Sequence, residues 1–438
     1  MRGVAGDWPL DPPTIARLGA AAVRTQAQTQ PDRPVRVLLG RDTRESGEWI
    51  AREFARGAAA EGAHVTTAGV MPTPGIAYLT HAKAFDLGVV LSASHNPYAD
   101  NGIKIFSGTG EKFGEEQERR VEAMMADTGW TVDPQVSAHM VTADLVEPYL
   151  AHLRKLLPSA GPLVGARVAV DMANGATTAG AMALFESLGL IAIPLGNHPD
   201  GRNINLACGS THPATLAGTV TADACQLGIA FDGDGDRAIF VDHRGRVVDG
   251  DAVLLILALD LQRRRQLTGQ TVVATVMSNI GLEIALREHG VQLLRTPVGD
   301  KYVMEAMLAG GFVLGGEQSG HVIMTEHLPT GDGMATALAV LRVMAETGRD
   351  LSDLASALQT FPQTLVNVRV REKTPIDRVP GIQAAIDRVE AALDGRGRVL
   401  VRYSGTEPLL RIMLEGENQA TVQAWAEEIA DAVRDTLA

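Results

Sequence analysis

The sequence predicts an α/β protein that consists of several layered domains and ends in a smaller α+β domain. Short runs rich in Val, Ile and Leu alternate with helix-length stretches rich in Ala and Leu, which is typical of α/β layers. This pattern restarts about every hundred residues. With 438 residues, of which 45% are hydrophobic, the chain exceeds what one core usually supports, so about two to four domains are expected.

Each of the first three repeats joins a predicted strand to a predicted helix. The strand and helix segments are VRVLLG (35–40) with SGEWIAREFARGAAAEG (46–62), ARVAVDMA (166–173) with TTAGAMALFESLG (177–189), and TVVATVM (271–277) with AVLLILALDLQRRRQ (252–266). In the third repeat the helix precedes the strand. The strands are of the length and composition that buried sheets use, so three α/β layers are expected.

The last part of the chain has a different pattern. It gives the predicted strands LVNVRVRE (365–372), RVLVRYS (398–404) and LLRIMLEG (409–416), with a helix after the first and another at the end. The final helix carries an apolar stripe of Val422, Trp425, Ala426, Ile429 and Val433. QTFPQT (359–364) is the expected linker, since Pro among polar residues interrupts regular structure. The predicted domains are therefore 1–155, 156–252, 253–364 and 365–438.

Composition excludes several classes of function. The net charge of -13, which no Lys/Arg run offsets, argues against general nucleic-acid binding. The sequence contains no run of about 18 apolar residues, so no membrane span is predicted. The opening residues lack the apolar segment of a secretory signal, so a cytoplasmic protein is expected. Cys208 and Cys225 are interpreted as plain buried thiols without a role. The oligomeric state stays open, with a homodimer as one alternative.

A serine-bearing loop follows a predicted buried strand. DLGVVL (86–91) continues into SASHNPYADNGIKIF (92–106), where small residues, Asn, Pro and Gly predict an exposed loop that presents Ser94 to solvent. The alternative is an ordinary Ser/Asn-rich turn. With His95 and Lys104 nearby, we favour a hydroxyl that accepts and donates a phosphoryl group. Such a group carries about -1.5 to -2 charge and needs cations close by.

Three aspartates at alternate positions predict a metal site. GIAFDGDGDRAIFVD (228–242) has Asp232, Asp234 and Asp236 separated by glycines and followed by Arg237. An EF-hand does not fit, because its sixth position would be Arg237 and its twelfth His243. An Asp/Gly hairpin turn would leave three close like charges unexplained. Magnesium is favoured because it prefers oxygen ligands, including phosphate.

Two further polar loops are candidates for binding a sugar phosphate. In LGGEQSGHVIM (314–324), Glu317 and Ser319 would lie on one side of an extended segment and could bind sugar hydroxyls, although an ordinary turn is an equal alternative. RYSGTEPLLRIMLEG (402–416) predicts a tight turn whose hydroxyls, backbone N–H groups and arginines could hold a phosphate. Its candidate residues are Arg402, Ser404, Gly405, Thr406 and Arg411.

Together, and in this order, SASHNP with DNGIK, DGDGDR, GEQSGH and RYSGTEP resemble the motifs of the α-D-phosphohexomutases. Within this family the chain is most similar to the bacterial members that act on glucosamine phosphate, and the resemblance covers essentially the whole chain. GRDTRESG (40–47), ANGAT (173–177), NINLACGSTHP (203–213) and PVGDKYV (297–303) also match. The resemblance implies three related α/β domains with mixed sheets and a smaller C-terminal α+β domain, arranged around a central cleft.

The resemblance also implies roles for individual residues. Ser94 matches the phosphorylated serine and, with the three aspartates, the ligands of one Mg²⁺ per chain. His95, Lys104 and Arg237 are then catalytic candidates, and Lys104 is assigned to the proton of the sugar hydroxyl. The candidate substrate-binding residues are Arg2, Arg41, Lys301, Glu317, Gln318, Ser319, Arg402, Ser404, Gly405, Thr406 and Arg411. Arg2 is expected on a frayed terminus, because Met1–Gly3 corresponds to an interior part of the family's opening segment.

The implied reaction moves a phosphoryl group between two positions of a sugar phosphate through phosphoserine 94 and a hexose 1,6-bisphosphate. By the resemblance, Gln318 and Gly405 predict a preference for glucosamine phosphate. Glu317 and Gln318 offer acceptors near the sugar ring, and the ammonium at C2 gains a charge-assisted hydrogen bond from such an acceptor. Mannose and glucose phosphates are the alternative substrates. A metal-dependent sugar phosphatase and an inactive sugar-phosphate binder are alternatives of other classes.

Overall fold

Over residues 1–29, 32–404 and 408–437, which the computed structural model describes, the chain forms three mixed β-sheets with helices and one antiparallel sheet near its C-terminus. This arrangement confirms the predicted fold class. The described residues fall into two units, one comprising 1–277 and 293–356 and the other 278–292 and 357–438. Within the described residues, no helix has the length and apolarity that a bilayer crossing requires.

The first mixed sheet lies within the first unit. Its strands and helices are β1 (Arg2–Val4), α1 (Pro12–Ala27), β2 (Arg36–Arg41), α2 (Gly47–Ala60), β3 (His64–Val70), α3 (Thr73–Ala82), β4 (Leu87–Leu91), β5 (Asp100–Ser107), α4 (Glu115–Ala126), β6 (Met140–Thr142) and α5 (Val146–Leu153). The strand order is β1-β5-β4-β2-β3-β6, and β5 runs antiparallel to both β4 and β1. Arg2 therefore lies in a paired strand and not on a frayed end, which corrects the expectation.

The core of this region joins the sheet to α1 and α2. Leu39, Val89 and Leu91 of the sheet are fully buried in one cluster with Ile15 and Phe54 of the helices. Helices α1 and α2 can pack closely because Gly57 has no side chain. A Cβ atom at this position would collide with the Ala16 carbonyl. The apolar face of the sheet is thus covered, and its polar loops emerge at the strand ends.

The second mixed sheet has the order β11-β10-β9-β7-β8. Its elements are β7 (Arg167–Asp171), α6 (Ala181–Ser187), β8 (Ile191–Leu195), α7 (Ala214–Ala222), β9 (Leu227–Phe231), β10 (Ala238–Asp242) and β11 (Val247–Val248). The helix predicted over 177–189 is divided, since a 3₁₀ turn at Ala176–Ala179 is followed by Gly180 with a non-helical φ of -154°. The regular helix begins only after that glycine.

The third mixed sheet has the order β13-β12-β14-β15. The elements of this part of the chain are α8 (Gly250–Arg263), β12 (Thr271–Thr275), α9 (Ile280–Glu288), β13 (Gln292–Thr296), α10 (Asp300–Gly310), β14 (Leu314–Gly316), β15 (Val322–Met324), α11 (Gly333–Thr347) and α12 (Leu351–Ala355). Strands β12 and β14 are parallel, and β15 returns antiparallel to β14.

The second unit contains the antiparallel sheet β16-β18-β17 and the helix α9. Its remaining elements are β16 (Gln363–Arg369), α13 (Pro380–Leu393), β17 (Gly397–Tyr403), β18 (Leu409–Gly416) and α14 (Gln419–Leu437). The buried carboxylate of Glu415 accepts the Ile280 N–H at 3.1 Å and the Asn279 amide at 3.2 Å, which satisfies the start of α9. The predicted stripe of α14 is confirmed, with Val422, Ala426, Ile429 and Val433 buried.

The three mixed sheets share one feature that places the polar loops. In each sheet, one strand pairs in parallel with a neighbour on one side, and the chain then reverses to form an antiparallel strand on its other side. The reversing pairs are β4 and β5, β9 and β10, and β14 and β15. Each connecting loop carries one of the predicted motifs. In the first unit, the chain reversals therefore hold the candidate residues between paired strands.

Candidate active site

Ser94 lies in the reversal between β4 and β5 and is buried, with 3% of its surface exposed. The sequence-based expectation of a solvent-exposed serine is therefore wrong. Its φ of 53° is in the left-handed region, which residues other than glycine rarely adopt and which is enriched at functional sites. Its Oγ donates to Oδ2 of Asp232 at 2.5 Å, and Nδ1 of His95 lies 3.5 Å away.

Arg44 holds this loop in its conformation. Its buried guanidinium donates to the carbonyls of Ser94 (3.0 Å), Asn96 (2.8 Å) and Asp100 (3.0 Å), and also to that of Pro97. Its Nε pairs with Oδ2 of Asp42 at 2.8 Å. The planar fork of an arginine suits several carbonyls at once, which an ammonium cannot match.

Asp42 and Asn205 support the same loop from two different sheets. Asp42 accepts the Ser92 hydroxyl at 2.5 Å, and the Ser92 hydroxyl in turn accepts the Ser94 N–H at 2.9 Å. The Asn205 amide, on the second sheet's side, donates to the Ser94 carbonyl at 2.9 Å. The serine is thus positioned through its backbone before its hydroxyl makes any contact.

The three aspartates of the second reversal form a buried acidic cluster. Asp232, Asp234 and Asp236 are 0%, 1% and 6% exposed, and each offers one oxygen within 4.8 Å of the others. Among the described residues, Oδ1 of Asp234 and Oδ1 of Asp236 are buried without a hydrogen-bond partner. Buried carboxylate oxygens are costly unless paired or coordinating a cation, so this cluster fits a metal site.

Lys104 and His321 balance part of this charge. Nζ of Lys104 lies 2.6 Å from Oδ2 of Asp234 and 3.3 Å from Oδ2 of Asp236, and His321 lies 3.6 Å from the other Asp236 oxygen. Burial alone would lower the pKa of Lys104, but attraction by the two carboxylates outweighs it and raises this pKa. Conversely, Lys104 and His321 overcome the effect of burial and hold the pKa of Asp236 well below its usual value.

Asp232 is in a different electrostatic position from its neighbours. Burial, followed by repulsion from Asp236 and Asp234, raises the pKa of Asp232 well above its usual value. The charge of Arg237 opposes this shift, and its backbone N–H donates to Oδ1 of Asp232 at 3.2 Å. Nη1 of Arg237 also lies 3.0 Å from Nδ1 of His95, so the structure brings the predicted catalytic residues into one group.

The loop between β14 and β15 contributes to a pocket of about 550 Å³. Glu317, Gln318, Ser319 and Arg237 all line it. Oε1 of Glu317 accepts the Gly299 N–H at 3.2 Å, and Oε2 accepts the Ser319 hydroxyl at 3.3 Å. The predicted sugar-binding side chains therefore share one cavity with a predicted catalytic arginine.

Three further basic residues that the motifs select lie in different surroundings. Arg2 lines a second groove together with Lys104. Arg41 donates to the Asp42 carbonyl at 3.2 Å, and its stem packs near Gly47 at the start of α2. Lys301 pairs with Glu115 at 2.8 Å across 186 residues of sequence, so its ammonium is engaged by a carboxylate of this chain.

In the second unit, Arg402 and Arg411 are directly opposite each other on β17 and β18. Like charges in this arrangement are unfavourable unless an anion or other partners lie between them. The Ser404 N–H donates to the Leu409 carbonyl at 2.8 Å, and the Ser404 carbonyl accepts the Lys373 ammonium at 2.7 Å. The predicted residues Gly405 and Thr406 lie outside the described residues.

Several residues that support the site carry no role that the sequence motifs predict. Thr73 donates to Oδ2 of Asp234 at 2.7 Å, and Arg44, Asp42, Asn205 and His321 make the contacts described above. Polar residues directly after a predicted strand, as in GRDTRESG, were the available signal for Asp42 and Arg44. Cys208 and Cys225 are both free, and only Cys225 is buried, so the expectation of two buried thiols holds for one.

Comparison with known families identifies the domains of this chain. Residues 1–131, 147–245 and 249–361 match α/β/α domains I, II and III of phosphoglucomutase/phosphomannomutase, and residues 365–432 match its C-terminal domain. The chain belongs to this family, which is part of the α-D-phosphohexomutase superfamily, as the sequence motifs predicted.

Among similar proteins are the phosphoglucosamine mutases of Solibacter usitatus and Symbiobacterium thermophilum. The first is 48% identical, with 99% of this chain and 97% of the relative covered. The second is 47% identical, with 100% and 98% covered. A solved phosphoglucomutase/phosphomannomutase family protein from Burkholderia thailandensis is 24% identical, has a TM-score of 0.80 and covers 99% and 96% of the two chains, which shows a shared fold.

Proposed function

We propose that this chain is a phosphoglucosamine mutase, which interconverts glucosamine 6-phosphate and glucosamine 1-phosphate through a phosphorylated Ser94. The observation that carries the proposal is the buried Ser94 hydroxyl on Asp232, beside two further carboxylates and the Lys104 ammonium. The full-length similarity to relatives named phosphoglucosamine mutase supports the choice of substrate.

In the proposed cycle, the bond between phosphorus and Oγ of Ser94 breaks as the free sugar hydroxyl bonds to phosphorus. The sugar becomes a hexose 1,6-bisphosphate, and the proton of its hydroxyl passes to Oγ of Ser94. The bisphosphate then reorients in the site, and Oγ of Ser94 bonds to the phosphorus of its other phosphoryl group. The bond from that phosphorus to the sugar oxygen breaks, the proton returns to this oxygen, and the isomeric monophosphate remains. Phosphoryl transfer of this kind depends mainly on positioning and on charge stabilisation.

The residues of this chain supply both requirements. Arg44 and Asn205 hold the serine loop through its carbonyls, so the acceptor oxygen is fixed before substrate arrives. Lys104 supplies positive charge at the transferring group. It lies against Asp234 and Asp236, which suits charge stabilisation in addition to the role with the hydroxyl proton that the motif assigns.

The acidic cluster is proposed to hold one Mg²⁺ through Asp232, Asp234 and Asp236, with the phosphorylated Ser94 as a further ligand. Oδ1 of Asp234, which is buried and has no hydrogen-bond partner among the described residues, supports this assignment. When bound, the ion would neutralise charge on the phosphoryl group. Oxygen ligands of this kind are those that Mg²⁺ prefers.

Sugar recognition is assigned to the pocket lined by Glu317, Gln318 and Ser319. For Arg402, Ser404 and Arg411 we retain the phosphate-binding role, supported by the arginines that face each other across β17 and β18. Gly405 and Thr406 keep the same proposed role from the motif. Arg2, Arg41 and Lys301 are proposed as further substrate contacts; in this structure Arg41 contacts the Asp42 carbonyl and Lys301 contacts Glu115.

A substrate panel tests this function. The protein is incubated with Mg²⁺, a catalytic amount of hexose 1,6-bisphosphate, and glucosamine, glucose or mannose 6-phosphate, and both isomerisation and phosphate release are followed. We expect the highest kcat/KM for isomerisation of glucosamine 6-phosphate. Preference for glucose or mannose phosphate would overturn the substrate but not the mutase reaction, whereas phosphate release without isomerisation would indicate a phosphatase.

A further inference from the structure

Gln318, in the sugar loop, is held at both its backbone and its side chain. Its carbonyl accepts the Gly250 N–H at 3.0 Å, and its Nε2 donates to Oδ2 of Asp249 at 3.1 Å. A side chain at Gly250 would collide with the Glu317 carbonyl, so the start of α8 packs directly against this loop. None of the sequence motifs indicates a function for Asp249.

The contact with Asp249 determines which end of the Gln318 amide is bound. An ionised carboxylate only accepts hydrogen bonds, so it must face the amide nitrogen and not the amide oxygen. The other Asp249 oxygen already accepts the Ala252 N–H at 3.2 Å as the N-cap of α8. Among the described residues, no donor contacts Oε1 of Gln318, which leaves this oxygen available as an acceptor.

Gln318 and Asp249 both line the pocket that contains Glu317 and Arg237. An ammonium group only donates hydrogen bonds, and its bond to an oxygen acceptor is charge-assisted, whereas a hydroxyl gains less from the same acceptor. If the amide were reversed, its NH₂ group would face the ammonium and offer no acceptor. The orientation of a single amide therefore distinguishes an amino sugar from a neutral one.

We propose that Asp249 is a positioning residue for substrate selectivity. By binding Nε2 of Gln318, it directs Oε1 towards the pocket, where this oxygen accepts a hydrogen bond from the C2 ammonium of glucosamine phosphate. This inference rests on the proposed function and adds the element that fixes the selectivity of its sugar site.

Asp249→Asn is the most direct test. The Asn side chain keeps an oxygen for the N-cap of α8, since Asn caps helices as well as Asp. Its Nδ2 would then face Gln318. Because this group is a donor, the Gln318 amide rotates by about 180° so that Oε1 faces it and Nε2 faces the sugar. We expect the ratio of kcat/KM for glucosamine 6-phosphate to that for glucose 6-phosphate to fall about tenfold, as expected for one hydrogen bond to a charged group.

Combining Asp249→Asn with Gln318→Glu should restore the preference. The new carboxylate accepts from Nδ2 of the Asn and keeps an acceptor for the ammonium. Asp11→Asn is the matched control, since Asp11 is also a helix N-cap and accepts the Thr14 N–H at 3.1 Å in α1. It should leave the ratio unchanged.

An unchanged ratio in Asp249→Asn, within about twofold, would overturn the inference if the wild type prefers glucosamine phosphate. If Asp249→Asn does not fold, Gln318→Met replaces it, because it removes the oxygen and leaves the helix cap intact. An unchanged ratio in that variant would equally overturn the inference. A wild type that isomerises only glucose or mannose phosphate would instead show that the proposed substrate is wrong.

Discussion

The Oγ atom of Ser94 lies 2.5 Å from Oδ2 of Asp232, although 138 positions separate the two residues. The two reversals that carry them also meet through their backbones, because a side chain at Gly233 would collide with the Ser94 carbonyl. The Asn205 amide donates to that carbonyl as well. The hydroxyl proposed to carry the phosphoryl group and the carboxylates proposed to bind the metal therefore form one packed structure.

Ser94→Ala should nearly abolish isomerisation, because no other hydroxyl is proposed to carry the phosphoryl group. We expect intact-mass spectrometry to find one phosphate on the wild type and none on the variant, while the melting temperature changes little. Ser107→Ala, at the other end of β5, is the matched control and should keep both activity and phosphate. Turnover of Ser94→Ala at the wild-type rate would contradict the covalent mechanism.

Asp234→Asn should weaken magnesium binding, because it removes one of three carboxylate charges from the cluster. We expect the magnesium concentration for half-maximal activity to rise about tenfold or more, and the stabilisation of the fold by magnesium in thermal melting to decrease. Asp223→Asn, an exposed position at the end of α7, should change neither quantity. If EDTA leaves wild-type activity intact, the metal assignment is wrong.

Arg44→Ala should reduce both stability and activity. It leaves the Asp42 carboxylate buried without its ion pair, at a cost of about 3–5 kcal/mol in the free energy of unfolding. Arg44→Lys keeps the charge but not the planar guanidinium that binds several carbonyls. We therefore expect it to lower kcat strongly and to lower the free energy of unfolding less than Arg44→Ala does. Urea denaturation and kcat measure the two effects, with Arg36→Lys on β2 as control. Wild-type values in Arg44→Lys would mean that the serine loop keeps its shape without the guanidinium.

Stability should fall in mild acid because of His152, which stacks between Tyr78 and His327 at ring-centroid distances of 3.9 Å and 4.3 Å. Burial first, and then His327, lower the pKa of His152 from 6.5 to about 4. Between these values the unfolded chain binds more protons than the folded one, so stability decreases as the pH falls through this window.

Since His152 is only half-buried, we expect its contribution to be about 1–2 kcal/mol. His152→Phe keeps an aromatic ring in the stack and removes the titration. The urea midpoint of the wild type should therefore fall more than that of the variant between about pH 7.5 and about pH 5. Parallel pH profiles for the two proteins would assign the acid sensitivity to other groups.

Sequence patterns predicted the regular elements well where local periodicity decides them. The strand β18 coincides with the predicted LLRIMLEG, and the apolar stripe of α14 is buried as expected. The burial of Ser94 could not be predicted in this way, because it results from Asn205, Gly233 and Arg44, which the chain brings in from distant positions. A loop of small polar residues has the composition of an exposed loop whether or not such partners cover it.

Contacts between charged residues show the same limit. The motifs selected Lys104 and the three aspartates, and the structure places them together. The engagement of Lys301 by Glu115, 186 residues away, depends on how helices α4 and α10 are positioned, and neither segment carries a pattern that indicates its partner. Asp249 likewise has the sequence signature of a helix cap, and only its distance to Gln318 indicates a second role.

The residues proposed to carry out the reaction lie on three loops, and each loop connects two paired strands of a different mixed sheet. The loop between β14 and β15 is fixed at both ends by strand pairing within its own sheet, and the same holds for the serine and aspartate loops. Replacement of residues 317–319 can therefore alter which sugar is accepted while the phosphoryl carrier keeps its surroundings, provided that His321, which lies against Asp236, is retained. An engineer seeking a new sugar specificity should begin with this short segment and its partner Asp249, and leave the strands unchanged.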